Sequence, residues 1–155
     1  SMAIVLDGPE DFRRTTRELI REGVDIIKLV ISGDTFVPHA PSNSTVMSEA
    51  EVAAAAEVVH AHGKRMSAHA RSADAVKLCV RHGVNVIYHA NFLDDEALDM
   101  LEASKDWVFV SPNIGFTAIA ARLSPAECCS FLHQVAVRCH ISRLISLRFQ
   151  RAFRR

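Results

Sequence analysis

Gly23-Val-Asp-Ile-Ile-Lys28, Gly63-Lys-Arg-Met-Ser-Ala-His69 and Gly83-Val-Asn-Val-Ile-Tyr-His89 repeat one arrangement. Each is a glycine, a largely apolar run, and then a side chain with a nitrogen donor five or six positions on. A glycine readily ends a helix, and a short apolar run rich in β-branched residues reads as a buried strand. Lys28, His69 and His89 then fall near the same end of three neighbouring strands. In a parallel α/β sheet that end, the carboxyl edge, is where active sites are built.

Outward from these segments the chain alternates. Asp7-Gly8 makes a turn, and Pro9 to Glu22 reads as a helix with Phe12, Thr16, Leu19 and Ile20 on one face. Asp25 to Ser32 follows as a strand, expected to be covered on both faces because its apolar run is continuous. The loop from Gly33 to Met47 is long, and its place after the Lys28 strand suits a lid or substrate loop. Ser48-Glu-Ala-Glu51 is a capping box opening a helix to His62. Strand Arg65–Ala70, helix Ala73–His82 and strand Val84–Ala90 come next. A helix follows from the acids Asp94-Asp95-Glu96 to about Ser104, then a strand over Trp107–Val110. Such alternation means parallel strands. The fold class is α/β: about four parallel strands alternating with helices, half of a (β/α)8 barrel whose whole needs about 250 residues. A small open sheet and a piece of something larger both fit.

The chain has 155 residues, 49% hydrophobic and 23% charged, which suits one soluble domain with a real core. No apolar run is long enough to span a membrane. The zero net charge hides a division: 17 acidic against 11 basic residues up to Gly115, then Glu127 alone against seven arginines. Two segments are therefore expected, 3–115 and 116–155. Cys79, Cys128, Cys129 and Cys139 contain no Cys-x-x-Cys pair and read as free thiols in a reducing cytoplasm.

Among residues that can carry chemistry, Lys28 sits within Ile-Ile-x-Leu-Val-Ile, where burial disfavours an ammonium and a neutral amine is reactive. One use of such an amine is capture of carbon dioxide as a carbamate; the plainer alternative is a lysine snorkelling from a strand end. Imidazole suits zinc and similar metals, so His69 and His89 at equivalent stations, with Lys28 at a third, favour metal binding over two ordinary core histidines. His60 and His62 are set aside, because residues two apart on a helix point away from each other. His82 is a helix-end residue like His62, and His39 is a loop residue expected in solvent. There is no glycine-rich phosphate loop and no nucleophile elbow.

Ile26-Ile-Lys28-Leu-Val-Ile-Ser-Gly33, Ala61-His-Gly-Lys-Arg-Met-Ser-Ala-His69-Ala70 and Gly83-Val-Asn-Val-Ile-Tyr-His89, followed by Leu93-Asp-Asp-Glu-Ala-Leu98, resemble the amidohydrolase superfamily. The nearest branch is the imidazolonepropionase-like group, with prolidase-like dipeptidases and ochratoxinase-like amidases. The resemblance covers roughly residues 7–115. It implies a distorted (β/α)8 barrel holding two divalent metal ions, commonly zinc. Lys28, carboxylated by carbon dioxide, would bridge them, with His69 and His89 as further ligands. It also implies hydrolysis of an amide bond, of the dipeptide or N-acyl amino acid type, by a metal-activated hydroxide. The family's H-x-H pair and its late aspartate have no counterpart here, so the chain alone is expected to be inactive. Family members often hold glutamate before the second histidine and glycine after it, where this chain has Tyr88 and Ala90.

Residues 116–155 do not share the resemblance. Arginine without lysine suggests a shifted reading frame or a truncated clone; against that, Ser124-Pro-Ala-Glu127 is a fair capping box and the apolar spacing beyond it is loosely helical. Such a basic helix could serve as an interaction element. The aromatics do not interleave with basic residues as nucleic-acid binding needs, and no membrane partner is expected. The expected partners are a small-molecule amide or dipeptide substrate and, through exposed sheet edges, further copies of the chain. The alternative to a hydrolase is a non-catalytic half-barrel that self-associates.

Overall fold

Three glycines set the frame. Gly23, Gly63 and Gly83 all take positive φ (91°, 62° and 69°), a region that costs side-chain-bearing residues steric strain. Each amide donates to the carbonyl three residues back, and each following amide to the carbonyl five back: Val24 to Leu19, Lys64 to Val59, Val84 to Cys79. This paired pattern closes the end of a helix and turns the chain into a strand. The computed structural model describes residues 3–35 and 37–112; the helical reading of 116–155 and the segment boundary at 115 lie outside them.

The described chain runs α1 (Gly8–Arg21), β1 (Ile26–Val30), α2 (Glu49–Ala61), β2 (Arg65–Ser72), α3 (Ala73–Arg81), β3 (Val86–Phe92), α4 (Asp95–Ala103) and β4 (Phe109–Ser111). The strands form one sheet in the order β1-β2-β3-β4, every pairing parallel. Sequential order among parallel strands is how a (β/α) barrel is wound. The helix starts follow from their caps. Ser48 and Glu51 form the expected reciprocal capping box on α2, while Ser72 and Asp94 accept from Ala75 and Ala97 at the starts of α3 and α4.

The two faces of the sheet differ. Ile27, Leu29, Met66, Ala68, Ala70, Ile87 and Val110 join Val52, Ala55, Val59, Val76 and Leu101 from the helices in one core. On the other face stand Lys28 in register with Ser67, and Val30 in register with His69, which in turn pairs with Tyr88. The expectation that β1 is covered on both faces is corrected: Ile26 and Val30 are 44% and 48% exposed. On this second face β1 leaves Ile26, Lys28 and Val30 exposed, so its apolar run, which a closed barrel would bury on both sides, alternates between core and surface, whereas Ser67, His69 and Arg71 of β2 on the same face are buried.

Candidate active site

The site is built at the carboxyl ends of β1, β2 and β3. His69 is buried, and its Nε2 donates to the Gly33 carbonyl at 3.0 Å, with Asp34 Oδ2 at 3.7 Å. A carbonyl can only accept, so the proton sits on Nε2 and a neutral His69 keeps the lone pair on Nδ1. Fixing the tautomer through a backbone carbonyl is how metal-ligating histidines are usually oriented.

His89 reaches the same place by a different route. Its register partner is Ala70, on the helix side of β2, yet its ring centre lies 4.6 Å from that of His69, edge to face. Its Nδ1 is buried, with no hydrogen-bond partner among the described residues. Burial, and then the charges of Arg71 and His69, push its pKa down to about 4. At neutral pH the ring is therefore uncharged, the form in which imidazole binds metals.

Lys28 lies on the sheet face shared with His69 but is exposed. The burial on which its expected reactivity rested is absent among the described residues, because the face it occupies is open. Its Nζ stands 4.7 Å from the centre of the Tyr88 ring, a cation–π contact across β2.

Several residues at this edge had not been singled out from the sequence. Arg71, almost wholly buried, donates from Nη1 to Asn91 Oδ1 at 2.9 Å and pairs through Nη2 with Asp34 Oδ1 at 3.3 Å. Its backbone N–H donates to Ser32 Oγ at 2.8 Å. Strand alternation places Arg71 on the face of His69, two residues earlier, and that was the available signal. The loop after β1 folds back over the edge: Thr45 bridges Ser32, and its Oγ1 meets Ser72 Oγ at 2.8 Å. Gly33 permits this, since a Cβ there would lie 2.0 Å from the Ala40 carbonyl oxygen. The histidines set aside are engaged elsewhere: His60 Nε2 donates to the His82 carbonyl, His62 Nδ1 to the Val58 carbonyl, and His82 Nε2 meets Glu49. His39 is exposed in the loop, as expected.

Among the described residues no three His, Cys, Asp or Glu side chains are grouped to hold a metal ion. Two adjacent imidazoles, His89 with a buried Nδ1 that has no partner among the described residues, and an amine on the face of His69, nevertheless fit part of a divalent-metal donor set. A lysine carbamate would supply the missing anionic oxygen.

A parallel sheet wound in sequence, with its histidines gathered at the carboxyl edge, is part of a (β/α) barrel. Comparison with known proteins leads to particular relatives. A prolidase crystallised with N-methylphosphonate-L-proline is 30% identical, with a TM-score of 0.67, over 90% of this chain and 35% of that one. A solved amidohydrolase is 29% identical, with a TM-score of 0.66, over 94% of this chain and 36% of its own. Ochratoxinase of Aspergillus niger is 24% identical over 98 residues, 63% of this chain and 20% of that protein, and its crystal structure shares the fold at a TM-score of 0.67. No family model matches. The chain is thus similar in sequence and fold to prolidase and amidohydrolase structures. It spans about a third of the length of the solved structures and a fifth of the curated relative.

Proposed function

We propose that residues 3–115 are the part of a metal-dependent amidohydrolase that carries Lys28, His69 and His89, acting on an amide bond of the dipeptide or N-acyl amino acid type. The observation that carries this is the paired presentation of His69 and His89, edge to face at 4.6 Å, with a buried ring nitrogen unused. The named relatives, a prolidase and ochratoxinase, favour an amide substrate. The described helices include none long and apolar enough to cross a membrane. The buried free thiol of Cys79 agrees with a reducing cytoplasm.

Two divalent ions, zinc by preference, would lower the pKa of a water and polarise the scissile carbonyl. His69 and His89 serve as neutral nitrogen donors. Lys28 serves after carboxylation: its amine lone pair adds to the carbon of carbon dioxide, a C–N bond forms, one C–O π bond opens to a carboxylate, and the amine proton leaves to solvent. Exposure of Lys28 gives carbon dioxide free access. Arg71 and Asp34 hold the loop after β1 against this edge and shield His69 from water. Little or no turnover is expected of this chain alone.

The test is metal analysis of the purified chain together with carbon-13 NMR after exposure to labelled bicarbonate. Near-stoichiometric zinc, lost in His69→Ala and His89→Ala, and a carbamate signal lost in Lys28→Arg, are expected. Metal-free protein with an unmodified Lys28 would hand the case to the second reading. That reading is a self-associating half-barrel with 116–155 as an interaction element. The Lys28 contact with Tyr88 favours it, because an aromatic face holds an ammonium and not a carboxylate.

A further inference from the structure

Tyr88 pairs with His69 and the next residue, His89, pairs with Ala70, which is fully buried against the helices. In a regular strand successive side chains alternate between faces. His89 would then enter the helix-packed core beside Ile87 and away from His69. Its ring instead packs on that of His69. Two features of the backbone account for this. His89 and Ala90 take φ of 81° and 49°, the only residues other than glycine with positive φ among those described. Pairing then resumes with Ser72 opposite Phe92, so β3 has one residue more than β2 across the same span. An inserted residue in left-handed conformation is a β-bulge, and a bulge re-aims side chains.

We propose that the His89-Ala90 bulge is the device that carries His89 from the helix-packed face to the His69 face, with Ala90 as its positioning residue. The inference rests on the reading of His89 as a ligand only for its purpose; the geometry stands without it. Ala90 is 1% exposed and left-handed, so its site demands a residue both small and free to take positive φ. Glycine meets both demands. A β-branched residue meets neither, being a true outlier at positive φ.

The test compares Ala90→Gly, Ala90→Val and Ala68→Gly in the full chain. Ala68 is equally buried in the neighbouring strand but at ordinary φ. Proton cross-relaxation between the His69 and His89 rings, assigned with His69→Asn and His89→Asn, reports the ring contact. Thermal unfolding reports stability. Ala68→Gly and Ala90→Gly each remove one buried methyl, but only the second relieves left-handed strain. Ala90→Gly is expected to keep the ring contact and to lower the melting temperature less than Ala68→Gly does. Ala90→Val is expected to lose the contact. A drop in Ala90→Gly as large as in Ala68→Gly, or a folded Ala90→Val with the contact intact, overturns the proposal. If Ala90→Val does not fold, the glycine pair decides. Zinc titration of the wild type separates the two readings: ring contact without zinc binding removes the ligand role and leaves the bulge standing.

Discussion

Asp34 holds two of the site's cationic or imidazole groups at once, Arg71 at 3.3 Å and His69 at 3.7 Å. Arg71 is the deeper partner, its side chain 4% exposed against 34% for Asp34. Removing the carboxylate therefore leaves a buried charge with one counter-ion fewer, which is costlier than losing a surface pair. Asp34→Asn is expected to lower stability by about 1–3 kcal/mol. It should also free the loop over 33–47, seen as a lower urea midpoint and faster limited proteolysis there. A midpoint unchanged from wild type would show that the pair is idle. Arg71 escaped the sequence reading because a charged residue at a strand end looks like solvent exposure. The fold-back of the loop after β1, allowed by Gly33, is what covers it. The common sheet face of Lys28 and His69, and the place of His89 on the next strand, were legible because glycine, apolar run and donor recur at nearly equal spacing. What the spacing did not carry was the turning of His89, which depends on backbone torsion rather than on residue type. At position 90 the left-handed φ of 49° is one that glycine would take without steric strain.

At the scale of elements, the capping box at Ser48 does more than start α2. Glu51 accepts from the Ser48 backbone N–H at 2.7 Å and hydroxyl at 2.8 Å through one oxygen, and from the Gly8 N–H at 3.0 Å through the other. It thus ties the first turn of α1 to the first turn of α2. The Ser48 backbone N–H foremost, then its hydroxyl, hold the Glu51 carboxyl below its ordinary 4.5. A depressed carboxyl contributes stability that is present above 4.5 and is lost as pH falls through its lower value in the folded state. Unfolding free energy should therefore decline on acidification below pH 4.5 more steeply in the wild type than in Glu51→Gln. Parallel curves would mean that the carboxylate is not the linked group. Ser48→Ala should cost about 1 kcal/mol at neutral pH, read from urea denaturation. This element was fully legible, because a capping box is written in residues three apart. The ends of β3 were less so: the strand runs Val86–Phe92 rather than over the expected Val84–Ala90, and the inserted residue near His89 is not written in the apolar run.

For the molecule as a whole, the one-sided sheet sets the behaviour. Helices cover one face, and the other carries Ile26, Val30 and Phe109 at 44%, 48% and 59% exposure. Strands β1 and β4 stand at the two ends of the sheet. Unpaired strand edges and exposed apolar area both drive association, and among the described residues they coincide on β1 and β4. Burying apolar surface returns roughly 25 cal/mol per Å², set against the freedom lost on association, so contact between copies depends on how much of this surface they cover. The chain is accordingly expected to self-associate in light scattering. Val30→Lys and Phe109→Lys, which put charges on the open face without touching the helix-packed core, should shift it toward smaller species. The two substitutions also discriminate between routes. Val30 lies on β1 and Phe109 on β4, so association through one edge responds to one substitution, whereas stacking of open faces responds to both. A monodisperse wild-type monomer would mean that the open face is already covered by the chain itself. In that case Val30 and Phe109 should be protected from solvent, which hydroxyl-radical footprinting of the same sample would reveal.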